Sequence, residues 1–274
     1  MFNLLKLEFR KLRKQKSFYI CTIIMIILIL LSAITNNILS QDEELSFLTD
    51  TSTISILISA ISNCSFTLIA GIFIALFTCE DYEQQTIKNI YSKGYSHLEV
   101  YYSKLISALT ATGIMYIIVL LFAFLINVLI PVSSLTNSGI NASGLNLSET
   151  LNLPIANIIY LVIAQFFAVT AYMCLDYVIC SFLKKNGSSI AAIIVYPLIV
   201  NIIIGLINSL INSDSFDLGK YWISSLLGTV SAVNNNFKEI SFSFAGSLIY
   251  IFIFIIIGAI LCQPFSGSKQ KYNM

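Results

Sequence analysis

Charge is what this chain has least of: 11% of its 274 residues are Asp, Glu, Lys or Arg, while 57% are hydrophobic. A soluble globular chain carries roughly 25% charged residues, so this one cannot cover a water-facing surface and reads as an integral membrane protein. Histidine is reduced to His97 alone, which excludes H-E-x-x-H metal chemistry and any other site that needs two imidazoles. No G-x-x-x-x-G-K-[ST] phosphate loop and no G-x-S-x-G elbow occurs, so nucleotide hydrolysis by the first route and acyl transfer by the second lack their parts. The six cysteines sit inside or at the ends of apolar runs, with no C-x-x-C spacing. They read as small buried hydrophobes rather than as disulfides or zinc ligands. A net charge of +1 gives no electrostatic footprint for a nucleic-acid partner,. The chain is not expected to be an enzyme or to bind a cofactor or metal of its own.

What is present is a series of long, continuous apolar runs, which favour helical spans over barrel strands of about 10 residues. Six runs are delimited, at about 18–35, 53–78, 105–130, 155–183, 188–211 and 243–262. Before the first, residues 1–17 place Phe2, Leu5, Phe9 and Leu12 at helical spacing among Lys6, Arg10, Lys11, Arg13, Lys14 and Lys16. That pattern predicts a basic amphipathic helix in the headgroup layer. No small-x-small cleavage pattern follows the first run, so an uncleaved span is expected rather than a signal peptide. Pro197 lies inside the fifth run, where it is expected to kink the helix and free a carbonyl. Asn186-Gly187 is expected to turn the chain between spans four and five. Residues 132–154 carry no Lys or Arg and read as an external loop, and residues 212–241, with Tyr221 and Trp222, read as an external loop bearing short interfacial helices,.

Basic residues cluster before span one, between spans two and three, at Lys184-Lys185 and in the tail, leaving only Lys220 and Lys238 on the other side. The positive-inside rule then puts both termini in the cytoplasm. The fold expected is all-α, a single transmembrane domain over residues 1–274 with six spans.

Residues 79–104 form the one long polar, mixed-charge segment between two spans on that cytoplasmic side. Glu80, Asp81 and Glu83 ahead of Lys88 and Lys93 fit the order a helix macrodipole favours, so a helix is expected to open there. Gly94 fits its C-terminal stop. Ser96 and Glu99 stand at capping-box spacing for a second helix, giving a helix–turn–helix over 80–100. Within the spans, Asn63, Asp176 and Asn201 are candidate pathway residues. Helix packing is the alternative for the asparagines, and pairing with a lysine or solvation near the inner face is the alternative for Asp176.

This pattern resembles the permease subunits of ABC exporters of the type-2 class. The residues that carry the likeness are Leu4–Leu12 (LLKLEFRKL), Glu80 at the end of span two, Thr86-Ile87-Lys88-Asn89, and Ser103-Lys104-Leu105-Ile106. Two departures are visible: Gln85 stands where members often carry glycine, and His97 where they often carry a basic residue. The resemblance implies a cytoplasmic coupling helix that receives an ABC ATPase subunit, with Glu80, Asp81, Glu83, Thr86, Lys88, Asn89 and Gly94 as the coupling residues. It implies ATP and magnesium on that partner, a second permease copy or a paralogue, and membrane lipid around both. Similarity to lantibiotic-immunity and peptide-antibiotic export permeases implies expulsion of a peptide antibiotic, bacteriocin or other amphipathic compound from a bacterial cell membrane. Two other readings stand beside it: a scaffold or sensor whose cytoplasmic hairpin binds a signalling partner, and a secondary transporter or channel with Asp176 and Asn201 in its path.

Overall fold

The structure is a computed structural model, and it describes residues 2–41, 61, 65–129, 155–211, 218–231 and 237–262. All regular structure among the described residues is helical: α1 (Phe2–Lys14), α2 (Lys16–Gln41), α3 (Phe66–Glu83), α4 (Thr86–Ser92), α5 (His97–Leu129), α6 (Ile155–Leu183) and α7 (Asn186–Ile211). A 3-10 turn (Leu218–Tyr221), α8 (Ile223–Ser231) and α9 (Phe237–Cys262) complete it. Asn63, most of 53–65, the loop 132–154 and the tail lysines lie outside the described residues.

Five of these helices, α2, α5, α6, α7 and α9, are long and apolar enough to cross a membrane. The protein is therefore an all-α membrane protein of at least that many candidate spans. α3 is as apolar along most of its length, but its last turn carries Glu80, Asp81 and Glu83. α5 has 33 residues, which at 1.5 Å each makes it about 50 Å long. That exceeds the ~30 Å hydrocarbon core, so several turns of it stand beyond the apolar layer.

α6 is the central helix. It packs most extensively on α9 and also against α3, α5, α7 and α8. Ala164, Ala168 and Ala171 recur on its buried face, and small side chains at this spacing let neighbouring backbones approach closely. Several serines within the bundle satisfy their hydroxyls along their own helix or across it. Ser247 donates to the Ser243 carbonyl, and Ser243 to the Leu226 carbonyl of α8, each at 2.6 Å. By contrast α7 leaves Leu198, Ile202 and Leu206 exposed along one row, and α9 does the same with Phe252, Ile256 and Ile260. These apolar rows suit contact with lipid or with another membrane helix.

Local boundaries differ from the sequence expectation at three places. Glu80 to Glu83 do not open a helix; they form the last turn of α3, and the break falls at Gln84-Gln85. The turn between α6 and α7 is made by Lys184-Lys185, with Lys184 in the left-handed region (φ 56), while Asn186-Gly187 already belong to α7. The buried stripe of α1 is Leu4, Glu8 and Leu12, with Leu5 and Phe9 of the expected apolar face only half-buried, because α1 rests on α5 and α5 selects the face.

Candidate functional site

The charged residues converge where α2 and α5 begin, α3 ends, and the α6–α7 turn passes. Carboxylates in the last turn of a helix face the negative end of its dipole, so α3 can carry three there only if partners compensate each one. Asp81 is the most enclosed of the three. It forms ion pairs with Lys104 of α5 and Lys11 of α1. Thr86 of α4 donates its hydroxyl to Asp81 Oδ1 at 3.0 Å and to the Asp81 carbonyl at 3.2 Å. One aspartate thus joins four helices, α1, α3, α4 and α5. Burial acts to push its carboxyl up, but the charges and hydrogen bonds of Lys104 and Lys11 outweigh that and hold it below its ordinary value,.

Glu8 completes this cluster. It is buried on the α1 face that meets α5, and neither of its carboxylate oxygens has a hydrogen-bond partner among the described residues. Burial pushes its carboxyl up, and nearby Asp81 adds to that, against the pull of Lys104 and Lys11. Two lysines therefore face two carboxylates, and Asp81 takes the direct contacts.

The other two acids of α3 have different partners. Glu80 accepts from Gln15 at 3.1 Å and from Gln84 at 3.0 Å. Glu83 accepts from the Asn186 backbone N–H at 2.8 Å and from its side-chain amide at 2.6 Å. Asn186 opens α7, so Glu83 satisfies a free N–H at a helix start and sits at the positive end of that dipole. This contact explains why α7 starts at Asn186 and not after an Asn-Gly turn.

α4 hangs between these ties. Its cap, Gln85, has φ 55, the left-handed region, at the residue where members of the resembled family often carry glycine. Ile87 is the buried anchor of α4, while Lys88 and Asn89 are exposed. Gly94 has φ +87, a conformation that favours glycine at a helix end. Ser96 and Glu99 form a reciprocal capping box, with Ser96 N–H donating to Glu99 at 3.1 Å and Glu99 N–H to the Ser96 hydroxyl at 3.2 Å,. His97 lies against the Tyr91 ring at 4.2 Å between centroids. α4 is thus a single seven-residue helix held at both ends.

Asp176 and Asn201 do not join this cluster. Asp176 is fully buried where α6 meets α3 and α7. It accepts from Tyr196 at 3.1 Å and lies so close to Gly71 that a Cβ there would stand 2.6 Å from its Oδ2. Its hydrogen-bond partner is thus a tyrosine, not a lysine near the inner face. Asn201 is exposed on α7, and Asn63 is outside the described residues.

Lys104, Lys11 and Glu8 are the site residues that candidate selection from sequence omits. Lys104 had a signal: a lone lysine within an apolar helix must find a counter-charge, and it follows Ser103, whose buried hydroxyl donates to the Val100 carbonyl at 3.1 Å. Glu8 had one too, since Leu4, Glu8 and Leu12 recur at four-residue spacing on one helix face. Among the described residues no group of three His, Cys, Asp or Glu side chains could hold a metal ion.

Comparison with known protein families finds one match, to a family described as ABC-2 family transporter protein, over residues 4–213. That range runs from α1 through the whole Asp81 junction to the end of α7. No curated protein and no solved structure matches the chain.

Proposed function

The chain belongs to the ABC-2 family of transporter proteins and is a multi-pass membrane permease subunit of an ABC transporter; from that premise we propose that it exports an amphipathic peptide antibiotic, bacteriocin or similar compound through a bacterial cell membrane. The sequence holds no phosphate loop, so the free energy comes from a separate ABC ATPase that carries ATP and magnesium. In this reading α3 is the second of six spans, completed by the residues before Phe66, and both termini are cytoplasmic. The distribution of lysine and arginine supports that sidedness. A second copy or a paralogue faces this chain across the path, and the uncovered apolar rows of α7 and α9 are surfaces for it and for lipid.

One observation carries the coupling role: Asp81 ties α1, α3, α4 and α5 together through Lys11, Lys104 and Thr86. A force on the exposed side of α4 then reaches two membrane helices through a charged contact, not through a slack loop. Glu80 and Glu83 brace the same turn against Gln15 and the start of α7. Gly94 and the capping box fix the far end. Asn89 is the outward residue of α4 that meets the ATPase, with Lys88 beside it in the same turn. In this reading Asn201, exposed on α7, faces a substrate path. Asp176, enclosed by three helices, acts by holding them in register.

Purification from native membranes followed by identification of bound proteins tests the reading. A subunit with a phosphate loop should co-purify, and the reconstituted pair should drive ATP-dependent uptake of a labelled amphipathic peptide into inside-out vesicles. Asp81→Asn and Glu80→Ala should reduce that uptake. Repeated recovery of no ATPase would remove the proposal, and ion flux by the permease alone would favour a channel or secondary transporter instead.

A further inference from the structure

A cavity of about 340 Å³ lies behind α4, enclosed by the end of α3, the start of α5, the end of α6 and the last turn of α9. Its volume falls within the ~300–1,000 Å³ typical of small-molecule sites. The residues around it divide into two kinds. Lys88, Lys184 and His97 line it together with Tyr82 and Tyr91, and Ile87, Val100 and Leu261 contribute apolar side chains. Among the described residues no carboxylate lines it. The nearby acids are engaged elsewhere, Asp81 with its two lysines and Glu83 with Asn186. Lys184 stands over the Tyr82 ring at 5.7 Å, held there by a left-handed backbone (φ 56) that turns the chain at this point. Lys88 is steadied by Gln85 at 3.1 Å.

Uncompensated cations around a cavity attract an anion, and lysine is a common binder of phosphate. The apolar wall adds a second requirement. Leu261, at the end of a candidate membrane span, lines the cavity and is half exposed. We propose that this cavity binds a phosphate group, with Lys88 and Lys184 as its cationic contacts, and that the phosphate belongs to the headgroup of an anionic lipid whose acyl chains leave past Leu261. Such a lipid would wedge α4 against the ends of α6 and α9, giving the coupling helix a support that depends on membrane composition. The inference needs only the membrane setting and not the transport reading, since binding is measured on the permease alone.

The test uses the full chain in nanodiscs of phosphatidylglycerol, of phosphatidylcholine, or of a mixture. Lipid retained after release into detergent is counted by native mass spectrometry, and inorganic phosphate is titrated in a parallel arm followed by phosphorus NMR. Wild type should retain about one phosphatidylglycerol per chain in preference to phosphatidylcholine. Lys88→Gln with Lys184→Gln should lower that retention at least tenfold, whereas Lys238→Gln, an exposed lysine at the far end of α9 from the cavity, should not. Saturable binding of inorganic phosphate that is lost in the same double variant, without lipid retention, would keep the phosphate site and overturn its lipid source. Equal retention by wild type and the cavity variant, with no phosphate binding, overturns the site altogether. Should the double variant not fold, Lys184→Gln alone is read the same way, with a melting curve beside it to show that the fold is intact.

Discussion

Asp81 and Glu8 are neighbouring carboxylates with opposite thermodynamic signs, and that opposition can be measured. Asp81 has its carboxyl held low by Lys104 and Lys11. Its contribution to stability is therefore complete above the ordinary aspartate value and is lost as pH falls through the lower, folded value. Glu8 is pushed up by burial, so the folded state holds its proton more tightly than the unfolded state does. Its contribution is complete below the ordinary glutamate value, about 4.3, and declines as pH rises through the raised one. Glu8→Gln should accordingly raise the melting temperature at neutral pH and flatten the fall in stability on the alkaline side of that window. Asp81→Asn should do the reverse, leaving Lys104 buried without its counter-charge at a cost of about 3 kcal/mol. Melting curves of both variants from about pH 2 to 8 decide the matter, and identical pH profiles would refute the assignment. Gln85 makes a second residue-scale test. Its left-handed backbone costs a residue with a Cβ about 1 kcal/mol, so Gln85→Gly should stabilise the protein by roughly half of that after glycine's own entropy is counted. Gln85→Ala, which loses the same contact to Lys88 but keeps the Cβ, should show no gain.

At the scale of elements, the existence of the helices was legible because long apolar runs leave no other way to satisfy the backbone in a membrane. The ends of those helices were legible only where the signal was local. Gly94 and the Ser96–Glu99 box are short-range devices, and both appear at the expected residues. The acids of α3 and the Asn186-Gly187 pair were read by the same local rules and came out differently, because the deciding partners are remote in sequence. Lys11 and Lys104 let α3 keep its acidic last turn, and Glu83 lets α7 begin at Asn186. The buried stripe of α1 likewise depends on which face α5 offers. The contact of Gly71 with Asp176 is of this remote kind too, and no spacing in the chain announces it. A Cβ at Gly71 would stand 2.6 Å from Asp176 Oδ2 and 2.9 Å from Ile193 Cγ2. Gly71→Ala should therefore push α3 away from α6 and α7 and cost about 1–3 kcal/mol, read as a lower melting temperature. Gly113→Ala makes the control, because its Cβ would meet only Phe166 at an ordinary 3.6 Å.

At the scale of the whole molecule, docking and coupling should be separable, because different residues of α4 carry them. Asn89 is exposed on α4, while the hydroxyl of Thr86 points inward to Asp81. A partner pressing on the outer face gains nothing directly from Thr86, yet its force reaches α3 and α5 through that hydroxyl and the lysine pairs behind it. Thr86→Val keeps the shape of the side chain and removes the hydrogen bond, a loss of about 1 kcal/mol in folding stability. It should leave ATPase co-purification unchanged and reduce peptide uptake per ATP hydrolysed. Asn89→Asp changes the exposed face alone and should weaken co-purification, with uptake falling in proportion to the complex lost. The two variants are compared by the amount of ATPase bound and by the ratio of transport to hydrolysis in vesicles. If Thr86→Val instead lost the partner and kept the ratio, the hydroxyl would be part of the docking face, and the Asp81 junction would no longer explain how motion of α4 enters the membrane helices.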